Sequence, residues 1–193
     1  MTTYKIAILV GSLREGSINK KVAKSLCAFS GDRLDCTIVE IGDLPLYNQD
    51  YDAESVPQYD RFRKEVAEAD GVLFVSPEYN RGIPGVLKNA IDVGSRPYGE
   101  SVFNQKPAAI VTASPGSIGG FGSNHQIRQA AVFLNMPVMQ HPEAYLGHVN
   151  DDSFSADGCL KDGSLKDLIL GLSNAFADWV HLIHDARRLL AAR

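Results

Sequence analysis

Residues Tyr4 to Leu26 read Y-K-I-A-I-L-V-G-S-L-R-E-G-S-I-N-K-K-V-A-K-S-L, and their order decides the fold. Tyr4 to Val10 is an apolar run of strand length. Gly11 to Ser17 is a polar loop with two glycines, two serines and an arginine. After it, Ile18, Val22, Leu26 and Phe29 recur at spacings of three and four, which puts them on one helix face. A strand that is apolar throughout, rather than at alternate positions, is covered on both sides, as in a parallel sheet.

The same succession repeats along the chain. Strand-length runs are expected at Cys36 to Ile41, Gly71 to Ser76, Pro107 to Ala113 and Pro137 to Gln140. Helix-period segments separate them: Tyr59, Phe62, Val66 and Ala69; Val86, Leu87, Ala90 and Ile91; Ile127, Ala130, Ala131 and Leu134. A long last helix carries Leu165, Leu168, Ile169, Leu172, Phe176, Trp179, Val180 and Ile183, with Ser164 as its expected N-cap. This pattern predicts an α/β fold, a doubly wound five-stranded parallel sheet with helices on both faces, in a single domain over residues 1–193. In such sheets ligands sit beyond the carboxyl ends of the strands, where the strand order reverses. Three loops are therefore of interest, after the first, third and fourth strands.

Composition limits the function. The 193 residues carry a net charge of -4, and no cluster of Lys and Arg marks a nucleic-acid surface. Cys27, Cys36 and Cys159 form no C-x-x-C and no disulfide framework, which fits a reducing cytoplasm. No apolar stretch approaches the roughly 18 residues of a membrane span, and Arg14 and Glu15 follow the first run too soon for a signal peptide. The five histidines are scattered, so no metal site is expected. Asn150 to Gly163, with its two Asp-Gly pairs, reads as a surface turn or small hairpin.

The first loop ends at a helix N-terminus, where unpaired N–H groups and a partial positive charge suit an anion. Ser12, Ser17 and Asn19 add neutral donors, and Arg14 adds a forked cation matched to phosphate oxygens. One compact donor cluster fits a terminal phosphate better than a pyrophosphate. The residue after Gly16 is Ser17 rather than Lys, so the loop is not a triphosphate-hydrolysing P-loop, and G-x-G-x-x-G is also missing. That absence weakens a dinucleotide-binding dehydrogenase.

The second loop, S-P-E-Y-N-R-G-I-P-G from Ser76, offers a flat face at Tyr79 and polar edges at Glu78 and Asn80. The third, S-P-G-S-I-G-G from Ser114, leaves backbone N–H groups uncovered by side chains. A phosphate seat, a flat-faced loop and a donor-rich loop at one end of a sheet describe a mononucleotide with a large ring. Flavin mononucleotide (FMN) is the natural candidate.

The G-S-L-R-x-G-S-x-N run at Gly11 to Asn19, the P-E-Y-N run at Pro77 to Asn80, the G-x-x-K-N-A-I-D run at Gly85 to Asp92 and the loop from Ser114 together resemble the NAD(P)H-dependent FMN reductase family, in particular its quinone and chromate reductase branch. The resemblance covers nearly the whole chain and implies a flavodoxin-like fold with bound FMN. It implies that Ser12, Arg14, Ser17 and Asn19 hold the phosphate. Pro77, Glu78, Tyr79 and Asn80 would line the ribityl chain and ring, and Ser114 with Gly116 would meet the pyrimidine edge. No catalytic side chain is essential, since the flavin carries the chemistry. Tyr79 and Arg96 are candidate contacts for the nicotinamide or for an anionic acceptor. The implied donor is NADPH or NADH. The implied acceptors are quinones, oxyanions such as chromate, or free flavins, taken by ping-pong transfer in a homodimer or homotetramer. The chain departs from its relatives at Phe121, Gly122 and Ser123, which lack a basic residue. The rival reading is a non-catalytic electron shuttle or redox sensor that docks to a protein, against which stand the mild charge excess and the cations Arg81, Arg96 and Arg128.

Overall fold

The computed structural model describes residues 2–192. Its elements run β1 (Tyr4–Val10), α1 (Ile18–Phe29), β2 (Leu34–Ile38), α2 (Pro57–Ala67), β3 (Gly71–Ser76), α3 (Gly85–Gly94), β4 (Ala108–Ala113), α4 (Phe121–Phe133), β5 (Ala144–Leu146) and α5 (Ser164–Ala191). All strand pairs are parallel, in the order β2-β1-β3-β4-β5. This is the expected flavodoxin-like sheet.

The inner strands β3 and β4 are buried throughout because each face of the sheet has its own core, whereas the edge strand β2 is largely exposed. Ile6, Ile8 and Val10 of β1 pack with Val22 and Leu26 of α1 and with Ile169, Leu172, Phe176 and Val180 of α5. The alternate residues Ala7 and Leu9 pack on the opposite face with Phe62 and Val66 of α2, Leu87 and Ala90 of α3, and Ile127 and Ala131 of α4. Both cores share one sheet, so the chain is one domain. Fully burying each such side chain contributes about 1.5–3 kcal/mol.

Order reversal positions the site. From β1 the chain goes outward to β2, then returns across β1 to β3 and continues away through β4 and β5. The loops leaving β1 and β3 therefore diverge to opposite faces and open a crevice between them. Gly11 N–H donates to the Val75 carbonyl at 2.9 Å and stitches the two strand ends at its floor. A Cβ on Gly11 would lie 2.5 Å from Ser76 Oγ, so that approach requires glycine.

The last strand differs from the expectation. Pro137 to Gln140 adds only a bridge at the start of β4, where Ala108 N–H donates to Pro137 O (3.1 Å) and Met139 N–H to Ala108 O (2.8 Å). Pro142 has no N–H for a ladder, and regular pairing starts beyond it, at Ala144. Other boundaries also shift: β2 starts at Leu34 and ends at Ile38, β4 starts at Ala108, and Gly163 rather than Ser164 occupies the cap position of α5. Asn150 to Gly163 holds a 3-10 turn at Asp151–Ser153 and a small antiparallel bridge between Phe154 and Leu160. Among the described residues no helix is long and apolar enough to cross a membrane.

Candidate functional site

The loops after β1, β3 and β4 meet at the carboxyl end of the sheet. In the first, Ser17 caps α1: its Oγ accepts from Lys20 N–H at 3.2 Å. The hydroxyl proton of Ser17 and the first-turn N–H groups of Ile18 and Asn19 remain for a ligand. Ser12 is buried beside them, and Arg14 is exposed at the mouth.

Asn19 has an acceptor to satisfy as well as donors to offer. It is 4% exposed, and its Nδ2 donates to the Ala113 carbonyl at the end of β4, at 3.2 Å. Its Oδ1 is buried without a partner among the described residues. A buried acceptor left unmade costs about 1–3 kcal/mol. A ligand O–H would satisfy it, which a phosphate dianion lacks and a polyhydroxy chain has. A ribityl chain would supply such a donor, so the residues present fit FMN.

The second loop is a tight hairpin. Tyr79 N–H donates to Gly82 O (3.1 Å) and Gly82 N–H to Tyr79 O (3.0 Å), with Asn80 and Arg81 at φ 50 and 67. Two positive φ values make a type I′ turn. Asn tolerates that conformation, whereas Arg81 stores on the order of 1 kcal/mol there. The hairpin is held by α4. Glu78 Oε2 accepts from Gly122 N–H (2.6 Å) and Ser123 N–H (3.2 Å), Glu78 Oε1 accepts from Arg81 Nη1 (3.1 Å), and Gln126 Oε1 accepts from Ile83 N–H (3.0 Å). The carboxylate of Glu78 is thus the cap of α4, whose own cap residue is the side-chainless Gly120. Its backbone, with that of Pro77 and Asn80, is what remains to line a ligand. Tyr79 is 49% exposed.

A Cβ on Gly122 would stand 2.6 Å from the Arg81 carbonyl. No side chain fits there without moving the hairpin, which gives a physical reason for the missing basic residue. In the third loop Gly119 and Gly120 take φ 64 and 81, and a Cβ on Gly119 would fall 2.5 Å from the Tyr145 carbonyl carbon. Ser114 Oγ accepts the Gly116 N–H at 3.0 Å, so that N–H, expected at a ring edge, is spent inside the loop. The Ser117 and Ile118 N–H groups make no backbone bond among the described residues. Beside this loop burial, and then the hydrogen bond to Glu143 (2.8 Å), push the Tyr145 phenol above its usual range.

Of the other two cations weighed against the shuttle reading, one is remote from the hairpin and one is engaged by the protein. Arg96 follows the C-terminal end of α3, the end remote from the hairpin, and lines a cavity with Tyr98, Gly99 and Phe133. Arg128 is committed within the protein, Nε to Asn124 Oδ1 (2.9 Å) and Nη1 to Met139 O (3.3 Å). Gln126 is a site-building residue the sequence reading missed, and nothing in its local sequence marks it. Among the described residues no group of three or more His, Cys, Asp or Glu could hold a metal.

Comparison with known proteins shows the family and the fold. A family model described as NADPH-dependent FMN reductase matches residues 4–151. A quinone reductase of Pseudomonas putida KT2440 is 54% identical over 180 residues, covering 93% of this chain and 96% of the relative. A 2-hydroxy-1,4-benzoquinone reductase of a Burkholderia species is 40% identical over 176 residues, covering 91% and 96%. Among solved structures, the flavoenzyme NAD(P)H:(acceptor) oxidoreductase FerB of Paracoccus denitrificans superposes with a TM-score of 0.88 at 36% identity, covering 93% of this chain and 98% of that one.

Proposed function

The chain belongs to the NADPH-dependent FMN reductase family, flavoprotein oxidoreductases with FMN as cofactor and NAD(P)H as donor, and from that premise we propose that quinones are its acceptors. When bound, FMN takes two electrons as a hydride from NAD(P)H and passes them to the acceptor. Ser12, Ser17, Arg14 and the first N–H groups of α1 would hold its phosphate. Asn19 Oδ1 would accept from a ribityl hydroxyl. The backbone of Pro77 to Asn80 and the ring of Tyr79 would orient the ring and its visiting substrates, and the Ser114 to Gly120 loop would offer N–H donors to its polar edge. The observation that carries this reading is the buried, unpartnered Asn19 Oδ1 at the crevice where the three loops converge.

Donor and acceptor share one exposed face, that of Tyr79, so they bind in turn. Initial rates at several fixed quinone concentrations are expected to give parallel double-reciprocal lines; intersecting lines would overturn the shared site. The relatives' names support quinones as the substrate class. Chromate, other oxyanions and free flavin belong to the same reading as further acceptors, tested by turnover across a panel with each nicotinamide. A docking electron shuttle would instead fail to show rapid bleaching by NADPH and reoxidation by a small quinone. Our reading includes a cytoplasmic site of action, to be checked by cell fractionation. It also includes a homodimer or homotetramer, supported by the exposed Val132 and Phe133 of α4 and by Tyr98. Light scattering measures that mass directly.

A further inference from the structure

The mouth of the site keeps an outward cation that pairs with Glu78 on one side only. Arg81 sits at the tip of the Tyr79–Gly82 hairpin with its side chain 73% exposed, while its ion-pair partner Glu78 is only 10% exposed. Both Glu78 oxygens are engaged, Oε2 by two N–H groups at the α4 N-terminus and Oε1 by Arg81 Nη1. The positive end of α4 therefore offsets much of that carboxylate's charge, and the outer edge of the guanidinium is left uncompensated. The third loop, Ser114 to Gly120, carries no charged residue. In the first loop Arg14 belongs to the phosphate seat. The hairpin is also rigid, closed by the Tyr79–Gly82 backbone pair and tied to α4 through Glu78 and Gln126. A flat ring and a forked cation are thus held two residues apart on a clamped turn, and a preorganised pair loses little entropy on binding.

Building on the quinone-reductase reading, we propose that Arg81 is a specificity-determining residue that favours acceptors bearing an ionised oxygen on the quinone ring. A 2-hydroxyquinone is a vinylogous carboxylic acid and is an anion at neutral pH. Its ring matches Tyr79, and its charged edge matches the guanidinium. In a chain whose net charge is -4, a local cation also raises the concentration of such an acceptor at the mouth.

Two variants test this in the flavin-loaded protein. Arg81→Asn removes the charge with a residue that tolerates positive φ, and Arg81→Lys keeps a charge. The readout is the ratio of kcat/KM for 2-hydroxy-1,4-naphthoquinone to that for unsubstituted 1,4-naphthoquinone. Arg81→Asn is expected to lower the ratio about fivefold, the upper range for an exposed ion pair, and Arg81→Lys to restore most of it. High ionic strength should lower the wild-type ratio and leave that of Arg81→Asn flat. Independently of turnover, the dissociation constant of 4-hydroxybenzoate, read from the flavin absorption shift, should rise by a similar factor in Arg81→Asn. A ratio unchanged by substitution and by salt overturns the proposal. So does a rise in the KM for NADPH and NADH with the acceptor ratio constant, which would give the cation to the donor's phosphates. Failure of the wild type to reduce any quinone would instead sink the parent reading.

Discussion

Glu78 joins three parts of the site with one carboxylate. It caps α4, pairs with the turn residue Arg81 and fixes the loop that presents Tyr79. Replacing it with Gln keeps the shape but removes the charge, and the amide cannot accept at both ends. Hydrogen bonds to a charged group contribute about 1.5–3 kcal/mol each. Glu78→Gln is therefore expected to lower stability by about 2 kcal/mol, seen as a lower urea midpoint with an unchanged slope. An unaltered midpoint would mean that the α4 cap is not formed in solution. The loop around Glu78 was legible in the sequence as a ligand-facing stretch, but the direction of its side chain was not. The reason is physical: its partners at Gly122 and Ser123 lie 44 and 45 residues away. Asn19 is similar, since its bond to Ala113 spans 94 residues and leaves its Oδ1 buried without a partner among the described residues. Local spacing reports which groups are present, and long-range bonds decide which of their atoms remain free.

At the scale of elements, glycines separate structural need from chemical use. Gly119 combines φ 64 with a Cβ position 2.5 Å from the Tyr145 carbonyl carbon, whereas a Cβ on Gly16 would meet nothing within 4 Å. Gly119→Ala is expected to cost about 2 kcal/mol or more, through strain and collision together. Gly16→Ala should stay within about 0.5 kcal/mol of the wild type or gain slightly from a less flexible unfolded chain. Thermal melts of the two variants check the contrast, and equal melting temperatures would contradict the geometry of the third loop. The same scale explains the strand that was misplaced. Pro137 to Gln140 has the composition of a strand and does touch Ala108, but Pro142 interrupts the ladder, and three residues, Ala144–Leu146, complete the sheet. So short a run carries almost no periodic signal. The inner strands β1, β3 and β4 were legible because they are apolar toward both cores, and the helices because each presents a periodic apolar face to one of them; the edge strand β2, largely exposed, was found with shifted ends.

For the whole molecule, strand order matters more than any single side chain. Placing β1 between β2 and β3 makes the chain reverse direction, and that reversal aligns the α1 N-terminus, the Tyr79 hairpin and the Ser114 loop around one crevice. A sequence shows that three suitable loops exist at the same end of a parallel sheet, and only the fold shows that they converge. Arg96 illustrates the converse, since its sequence neighbourhood suggested the site and α3 carries it to the other end. The most direct test of the account is an equilibrium titration of the flavin-free protein with FMN and with riboflavin, followed by quenching of flavin fluorescence. FMN should bind one per chain, and riboflavin, which lacks the phosphate, at least about a hundredfold more weakly, a difference of about 2.8 kcal/mol. Equal affinity for the two, or no uptake of FMN, would contradict a phosphate seat at the β1–α1 junction and with it the assigned chemistry.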